Sequence, residues 1–294
     1  MRVQKNEEEP HTPSLADHDI TDSIATVLSD VTYPIGSTAF KTGGSIYDMY
    51  VNASNVFLLS YTSTARAYKF DHAGNLQDSL SNSFCKFYMF QDTLYGVTTA
   101  YPNQIHRYDA NFSAIDTFFM DSTVFAGGSI FTLCGHDKQM IPMTSSGDVK
   151  LVDYYGNNVS SLSSQPGVTS AISAGNNHIK YYNGEFLVSN EVDDRCIVLD
   201  SMIVQQATLN HSAPEFTSAH NSYNQIIKFG NLYGASNNNN AGDDLDLFDQ
   251  SGAWVGWYET DDEMWSAWDY HEGTLYIIGI DGFTNERIFK KITF

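Results

Sequence analysis

The chain has 294 residues, with 35 Asp and Glu against 15 Lys and Arg, for a formal net charge of −20 at pH 7. That balance excludes an electrostatic nucleic-acid binder, and no window approaches the roughly 18 consecutive apolar residues of a membrane-spanning helix. Charged residues make up only 17% of the chain, and 18 Tyr and 18 Phe stand among abundant Asn, Ser and Thr, a mixture that favours strands and polar turns over helices.

Residues 1–22 are polar and acidic, without apolar periodicity, and read as an extended arm. The first ten, Met-Arg-Val-Gln-Lys-Asn-Glu-Glu-Glu-Pro, contain no apolar h-region of a secretory signal. The alternating run Ser23 to Leu28 reads as a lone strand ahead of everything that follows. From there a unit recurs. It opens with an aromatic-ended run, as in Cys85 to Phe90, Ile179 to Tyr182, Ile226 to Phe229 and Trp265 to Tyr270. A turn residue and an apolar pair come next: Asn55-Val56-Phe57, Thr93-Leu94-Tyr95, Ser129-Ile130-Phe131, Glu185-Phe186-Leu187, Asn231-Leu232-Tyr233 and Thr274-Leu275-Tyr276. A third strand ends on Asp71, Asp109, Asp153, Asp200 or Asp249, and on Lys291 in the last unit; these positions lie 38, 44, 47, 49 and 42 residues apart. A fourth strand follows, for example Leu76 to Leu80 or Trp254 to Tyr258.

Intervals of that size suit a four-stranded propeller blade. The sixth unit ends with its third strand, so the strand near residues 23–28 is expected to supply its fourth and close the ring. Over about residues 23–294 the pattern resembles the six-bladed β-propeller superfamily, the loosely matching repeats of NHL-like proteins in particular. The resemblance implies an all-β, six-bladed propeller of four-stranded antiparallel blades, with residues 1–22 as an arm outside it. A sialidase is excluded: Asp249-Gln-Ser-Gly252-Ala-Trp254 lacks the leading Ser and the spacing of its Asp-box, and the five arginines form no triad.

The repeated Asp is read as structural, because Asp caps a tight turn and the Gly found three positions later in three units supplies positive φ. Cys85, Cys134 and Cys196 are too few and too dispersed for a disulfide framework and read as buried thiols. Loops joining second to third strands, and each unit to the next, share one face of the disc. That placement gathers Glu191, Asp193, Asp194, Asp243, Asp244, Asp261 and Asp262, hard oxygen donors suited to Ca²⁺, although none has the spacing of a dedicated loop. Trp254, Trp257, Trp265 and Trp268 fall within 15 residues and form a candidate binding surface for a glycan or protein partner. No Gly-x-Ser-x-Gly and no phosphate-binding loop is present.

These features point to a non-enzymatic propeller, a structural or recognition subunit of a larger assembly such as a virion, whose arm docks on neighbouring protein subunits. An adhesive or carbohydrate-binding propeller at a cell surface is the alternative, and a metal-dependent hydrolase or lyase at the channel mouth a further one.

Overall fold

The computed structural model describes residues 29–34, 45–61, 65–81, 84–90, 92–98, 104–119, 130–136, 139–144, 150–153, 155, 157–161, 177–182, 184–190, 195–201, 204–209, 223–239, 242–258, 263–281 and 287–293. They form six four-stranded antiparallel sheets arranged as a propeller. The first sheet is β2 (Ser45–Val51), β3 (Val56–Tyr61), β4 (Ala65–Phe70) and β5 (Leu76–Ser81); the second is β6 (Phe84–Phe90), β7 (Thr93–Thr98), β8 (Gln104–Tyr108) and β9 (Ala114–Phe119). The third comprises β10 (Ile130–His136), β11 (Gln139–Thr144), β12 (Lys150–Asp153) and β13 (Asn158–Ser161), and the fourth β14 (Asn177–Tyr182), β15 (Glu185–Asn190), β16 (Arg195–Asp200) and β17 (Gln205–Leu209). In the fifth are β18 (Tyr223–Phe229), β19 (Leu232–Asn239), β20 (Gly242–Phe248) and β21 (Trp254–Tyr258). The sixth joins β22 (Glu263–His271), β23 (Thr274–Asp281) and β24 (Arg287–Thr293) to β1 (Ser29–Pro34), from the other end of the chain. Successive first strands face one another in the cycle β2, β6, β10, β14, β18, β22 and back to β2.

An amino-terminal strand therefore does complete the last sheet, and the described strand is residues 29–34, while the expected 23–28 lies outside the described residues. Tyr33 pairs with Phe289 and Val31 with Lys291. Residues 1–28, the expected arm among them, lie outside the described residues. The third sheet also departs from expectation. Ile130-Phe131 was read as the start of a second strand, yet it opens the first, and the second is Gln139–Thr144. Pro142 hides that strand in the sequence, since proline cannot donate to a ladder. Among the described residues β12 pairs with Gln139 and Met140 and not with Pro142, so the proline is tolerated.

Hydrophobic cores lie between sheets, and single strands feed two of them. In β3, Val56 and Leu58 pack with Tyr276, Ile278 and Phe289 of the sixth sheet. Phe57 and Leu59, pointing the other way, pack with Phe84, Phe87 and Leu94 of the second. Burial on both faces explains why Val-Phe-Leu-Leu is a continuous apolar run and not an alternating one.

The five Asp turns repeat one geometry. The Asp71 N–H donates to the Asn75 carbonyl at 3.0 Å, and the Asp71 carbonyl accepts from the Gly74 N–H at 3.0 Å. One carboxylate oxygen accepts from the N–H groups of Ala73 and Asn75 at 2.9 and 2.8 Å. The same closing bond links Asp109 to Ser113, Asp153 to Asn157, Asp200 to Val204 and Asp249 to Ala253. The Ser251 hydroxyl and backbone N–H groups hold the Asp249 carboxyl below the usual carboxylate range. This is a type I turn followed by a left-handed residue, which shifts the register of the hairpin behind it. Gly74 and Gly252 take φ of 82° and 85°, and in the second sheet Phe112 takes 59°. Phe112 offsets that strain by burying its ring edge-on to Phe57, centroids 5.9 Å apart.

At Gly252 an added Cβ would stand 2.5 Å from the Thr208 carbonyl oxygen of the neighbouring sheet, whereas at Gly184, φ 94°, it would meet nothing within 4 Å. Gly184→Ala is therefore expected to cost about 1 kcal/mol through φ alone. Gly252→Ala, strained and clashing, should cost about 3 kcal/mol. Urea unfolding of the two variants measures the gap, and equal losses would show that contact between the fourth and fifth sheets does not constrain the turn.

Candidate functional site

In a propeller the first strand of each sheet pairs on one edge only, so its other edge presents unpaired N–H and C=O groups toward the axis. Buried backbone groups of that kind need partners. Here side chains of the first strands themselves supply them, from the same, a neighbouring or a more distant sheet. Lys180 of β14, buried, donates to the Met49 carbonyl of β2 at 2.8 Å and to the Trp268 carbonyl of β22 at 2.9 Å. The Gln225 side-chain oxygen of β18 accepts from the Trp268 N–H at 3.1 Å. Asp269 accepts from the Val51 N–H at 2.6 Å and, through its other oxygen, from the Tyr182 hydroxyl. Asp48 accepts from the Met49 N–H at 2.9 Å. The Lys180 ammonium lies 3.5 Å from a carboxylate oxygen of both Asp48 and Asp269.

These groups tie the fourth and fifth sheets to the first and sixth, where the two ends of the chain meet. Burial pushes the Asp269 carboxyl above its ordinary value, opposed by the Lys180 charge and the bonds from Tyr182 and Val51. Burial, helped by the carboxylates of Asp269 and Asp92, raises the Tyr50 hydroxyl to about 12. Burial also pushes up the thiols of Cys134 and Cys196, both free and buried.

The cluster closes the inner end of an axial cavity of about 600 Å³. The cavity is lined by the carboxyl-terminal halves of the first strands and the turns that follow them, and Glu272, a lining residue in one such turn, has a side chain 82% exposed. Tyr50, Phe90, Tyr181 and Tyr270 line it while remaining only half-buried. Gly135 contributes by its lack of a side chain: a Cβ there would stand 2.6 Å from the Tyr88 hydroxyl. Lys228, also lining, is held by Glu185 at 2.6 Å, and Glu185 accepts a further bond from the Tyr233 hydroxyl at 3.0 Å. Beside the mouth, His72 links the sheets on either side of the closure: its ring bonds the Asn52 carbonyl at 2.8 Å and the Tyr276 hydroxyl at 3.2 Å.

The sequence-derived candidates fall elsewhere. Glu191, Asp193, Asp194, Asp261 and Asp262 lie outside the described residues. Asp243 and Asp244, expected in a loop, stand in β20, where they pair with Asn238 and Asn237 of β19. Among the described residues no group of three or more His, Cys, Asp or Glu could hold a metal ion. Trp268 is 2% exposed and meets the cluster through its backbone. Trp254 is half-buried against the core between the fourth and fifth sheets, its ring N–H donating to Asp246 at 3.3 Å. Trp257 and Trp265 occupy β21 and β22, with side chains outside the described set. The cavity residues that sequence reasoning missed are Asp48, Lys180 and Asp269. Their signal is a charge embedded in an apolar or aromatic run, as in Asp48-Met-Tyr, Ile-Lys180-Tyr-Tyr and Trp-Asp269-Tyr.

No family model and no curated protein matches the chain. Solved structures do. One is a protein of unknown function from Bacteroides thetaiotaomicron, 11% identical, with a TM-score of 0.61 over 90% of this chain and 76% of that one. Another, from Bacteroides caccae and also of unknown function, is 11% identical, with a TM-score of 0.55 over 74% of this chain and 82% of that one. At such identity the likeness establishes a β-propeller fold. Among the described residues no helix is long and apolar enough to cross a membrane.

Removing the Lys180 ammonium leaves two buried carboxyl groups without their cation. Lys180→Met should cost about 3 to 5 kcal/mol at pH 7. The Asp269 carboxyl, already held above its unfolded value near 4 by burial, would then rise further. A raised folded pKa favours the protonated fold at low pH and penalises the ionised one as pH rises, so the deficit should shrink as pH falls from 7 toward 4. Urea unfolding at pH 4.5 and 7 tests this, and a deficit independent of pH would mean that the ammonium is not what the carboxylates require.

Proposed function

We propose that the six sheets are the six blades of one closed ring, and that the protein is a non-enzymatic recognition propeller holding a small ligand in its axial cavity. The observation that carries this reading is the cavity itself. Its volume of about 600 Å³ falls within the range of small-molecule pockets, and half-buried aromatic walls with a few fixed polar groups are the usual lining of such sites. Its polar floor is occupied with holding the ring together. Lys180, Asp269 and Tyr182 are bonded to one another or to backbone groups, which supports a structural role for them and not that of a nucleophile and its base. The wider form of the reading, a subunit of an assembly such as a virion docked through residues 1–22, draws its support from the composition of that arm. A calcium-assisted glycan site would use the loops of the opposite face.

A thermal-shift screen of small neutral, cationic and anionic compounds tests the proposal. A ligand at 100 times its Kd stabilises by about 2.7 kcal/mol, a shift of a few degrees. The shift should vanish in Tyr270→Ala, which truncates a half-buried wall residue. Absence of any saturable hit, or a hit that keeps its affinity in the variant, would overturn the assignment of the cavity. Conversion of a hit into a product would overturn the non-enzymatic part.

A further inference from the structure

We infer that the ligand of the axial cavity is a small organic cation, recognised through an ammonium group; this rests on the recognition reading above. The charged groups lining the cavity are Asp48, Asp269 and Glu272 against Lys180 and Lys228. Both cations are engaged. Lys180 donates to two backbone carbonyls and sits between the two aspartates, and Lys228 is neutralised by Glu185 at 2.6 Å. An anionic ligand entering the cavity would face carboxylates and would have to break an existing ion pair to find a counter-charge, at a cost of several kcal/mol for a buried pair.

A cation meets the opposite conditions. The rings of Tyr50, Phe90, Tyr181 and Tyr270 are half-buried along the walls, and aromatic faces attract ammonium groups, by about 2 kcal/mol or more where water is excluded. At the floor two carboxylates, Asp48 and Asp269, share the single Lys180 ammonium at 3.5 Å, and Glu272 stands at the exposed rim, 3.9 Å from the His271 ring. The net charge of −20 adds a long-range field that raises the local concentration of cations and repels anions. A neutral polyol would gain neither contribution.

Isothermal titration calorimetry of the full chain with choline, its uncharged isostere 3,3-dimethylbutan-1-ol, n-butylammonium, glucose, propionate and a lysine-containing tripeptide tests the inference. Choline or n-butylammonium is expected to bind at least tenfold more tightly than the isostere and glucose. Glu272→Gln, at an exposed rim position where folding is not at stake, should weaken the ammonium ligands about two- to fivefold while leaving the isostere unchanged. A tripeptide that binds while the free ammonium ions do not would keep the ammonium chemistry and assign its source to the side chain of a protein partner. Equal affinity for choline and the isostere, or tighter binding of glucose or propionate, would overturn the cation while leaving the cavity as a binding site. Saturable binding by none of the six would overturn both readings together.

Discussion

The unpaired inner edge of the first strands is the constraint on which the rest of this molecule depends. The second and third strands are finished by hairpins made from local sequence, but most partners of the inner edge come from distant parts of the chain. Lys180 satisfies Met49 and Trp268, separated from it by 131 and 88 positions in the chain. Asp269 reaches 218 positions back to Val51. The Lys180 links join the first and sixth sheets to the fourth, and the Asp269 link joins the sixth to the first. The covalent chain is open between β1 and β24, so these bonds and the β1–β24 ladder are what prevent the disc from springing apart at that seam.

The choice of a lysine for this task follows from geometry. A carbonyl on one strand and a carbonyl on another, both aimed at the axis, need a donor that can serve two acceptors at once from a distance. An ammonium on a four-carbon stem does so; a hydroxyl or an amide on a short side chain does not span the gap. The lysine then needs neutralising charge, which Asp48 and Asp269 provide at 3.5 Å. Burying three charged groups costs desolvation energy that an apolar cluster would avoid. The cluster is therefore best understood as a register device: only one angular arrangement of the sheets places both carbonyls, the Val51 N–H and the Tyr182 hydroxyl where they can all be satisfied.

Much of the fold was legible because it is written in local chemistry. The Asp turns declare themselves through Asp, Gly and Asn at fixed offsets, and the closing bonds from Asp71 to Asn75 and from Asp249 to Ala253 are the physical content of that signal. The Asp109 turn was legible even though Phe112, not glycine, takes its left-handed position, whereas Pro142 inside a strand hid the second strand of the third unit. The closing strand was misplaced by six residues because Ser-Ile-Ala-Thr-Val-Leu alternates better than Ser-Asp-Val-Thr-Tyr-Pro, while the register with Phe289 is decided by contacts that no window near residue 30 contains. The site was illegible for a related reason. Lys180 in isolation is an alternating polar residue of a strand, which ordinarily points to solvent; it is buried here because its carbonyl and carboxylate partners stand on the first strands of other sheets.

The position of the cavity also bears on how the acidic surplus should be read. Loop carboxylates attract notice in a sequence because they cluster, but Asp243 and Asp244 prove to be strand residues opposite asparagines, and the five turn aspartates spend their charge on backbone N–H groups. Charge committed to a turn exerts little directed field. The carboxylates that can shape recognition are those whose surroundings exclude water, since Coulomb interactions strengthen as the effective dielectric falls. Asp48 and Asp269, 8% and 2% exposed, are two of 35 acidic residues, yet beside Lys180 at the end of an aromatic-walled cavity they act at a lower effective dielectric than the many on the surface, whose interactions are screened within about 10 Å at 0.1 M salt.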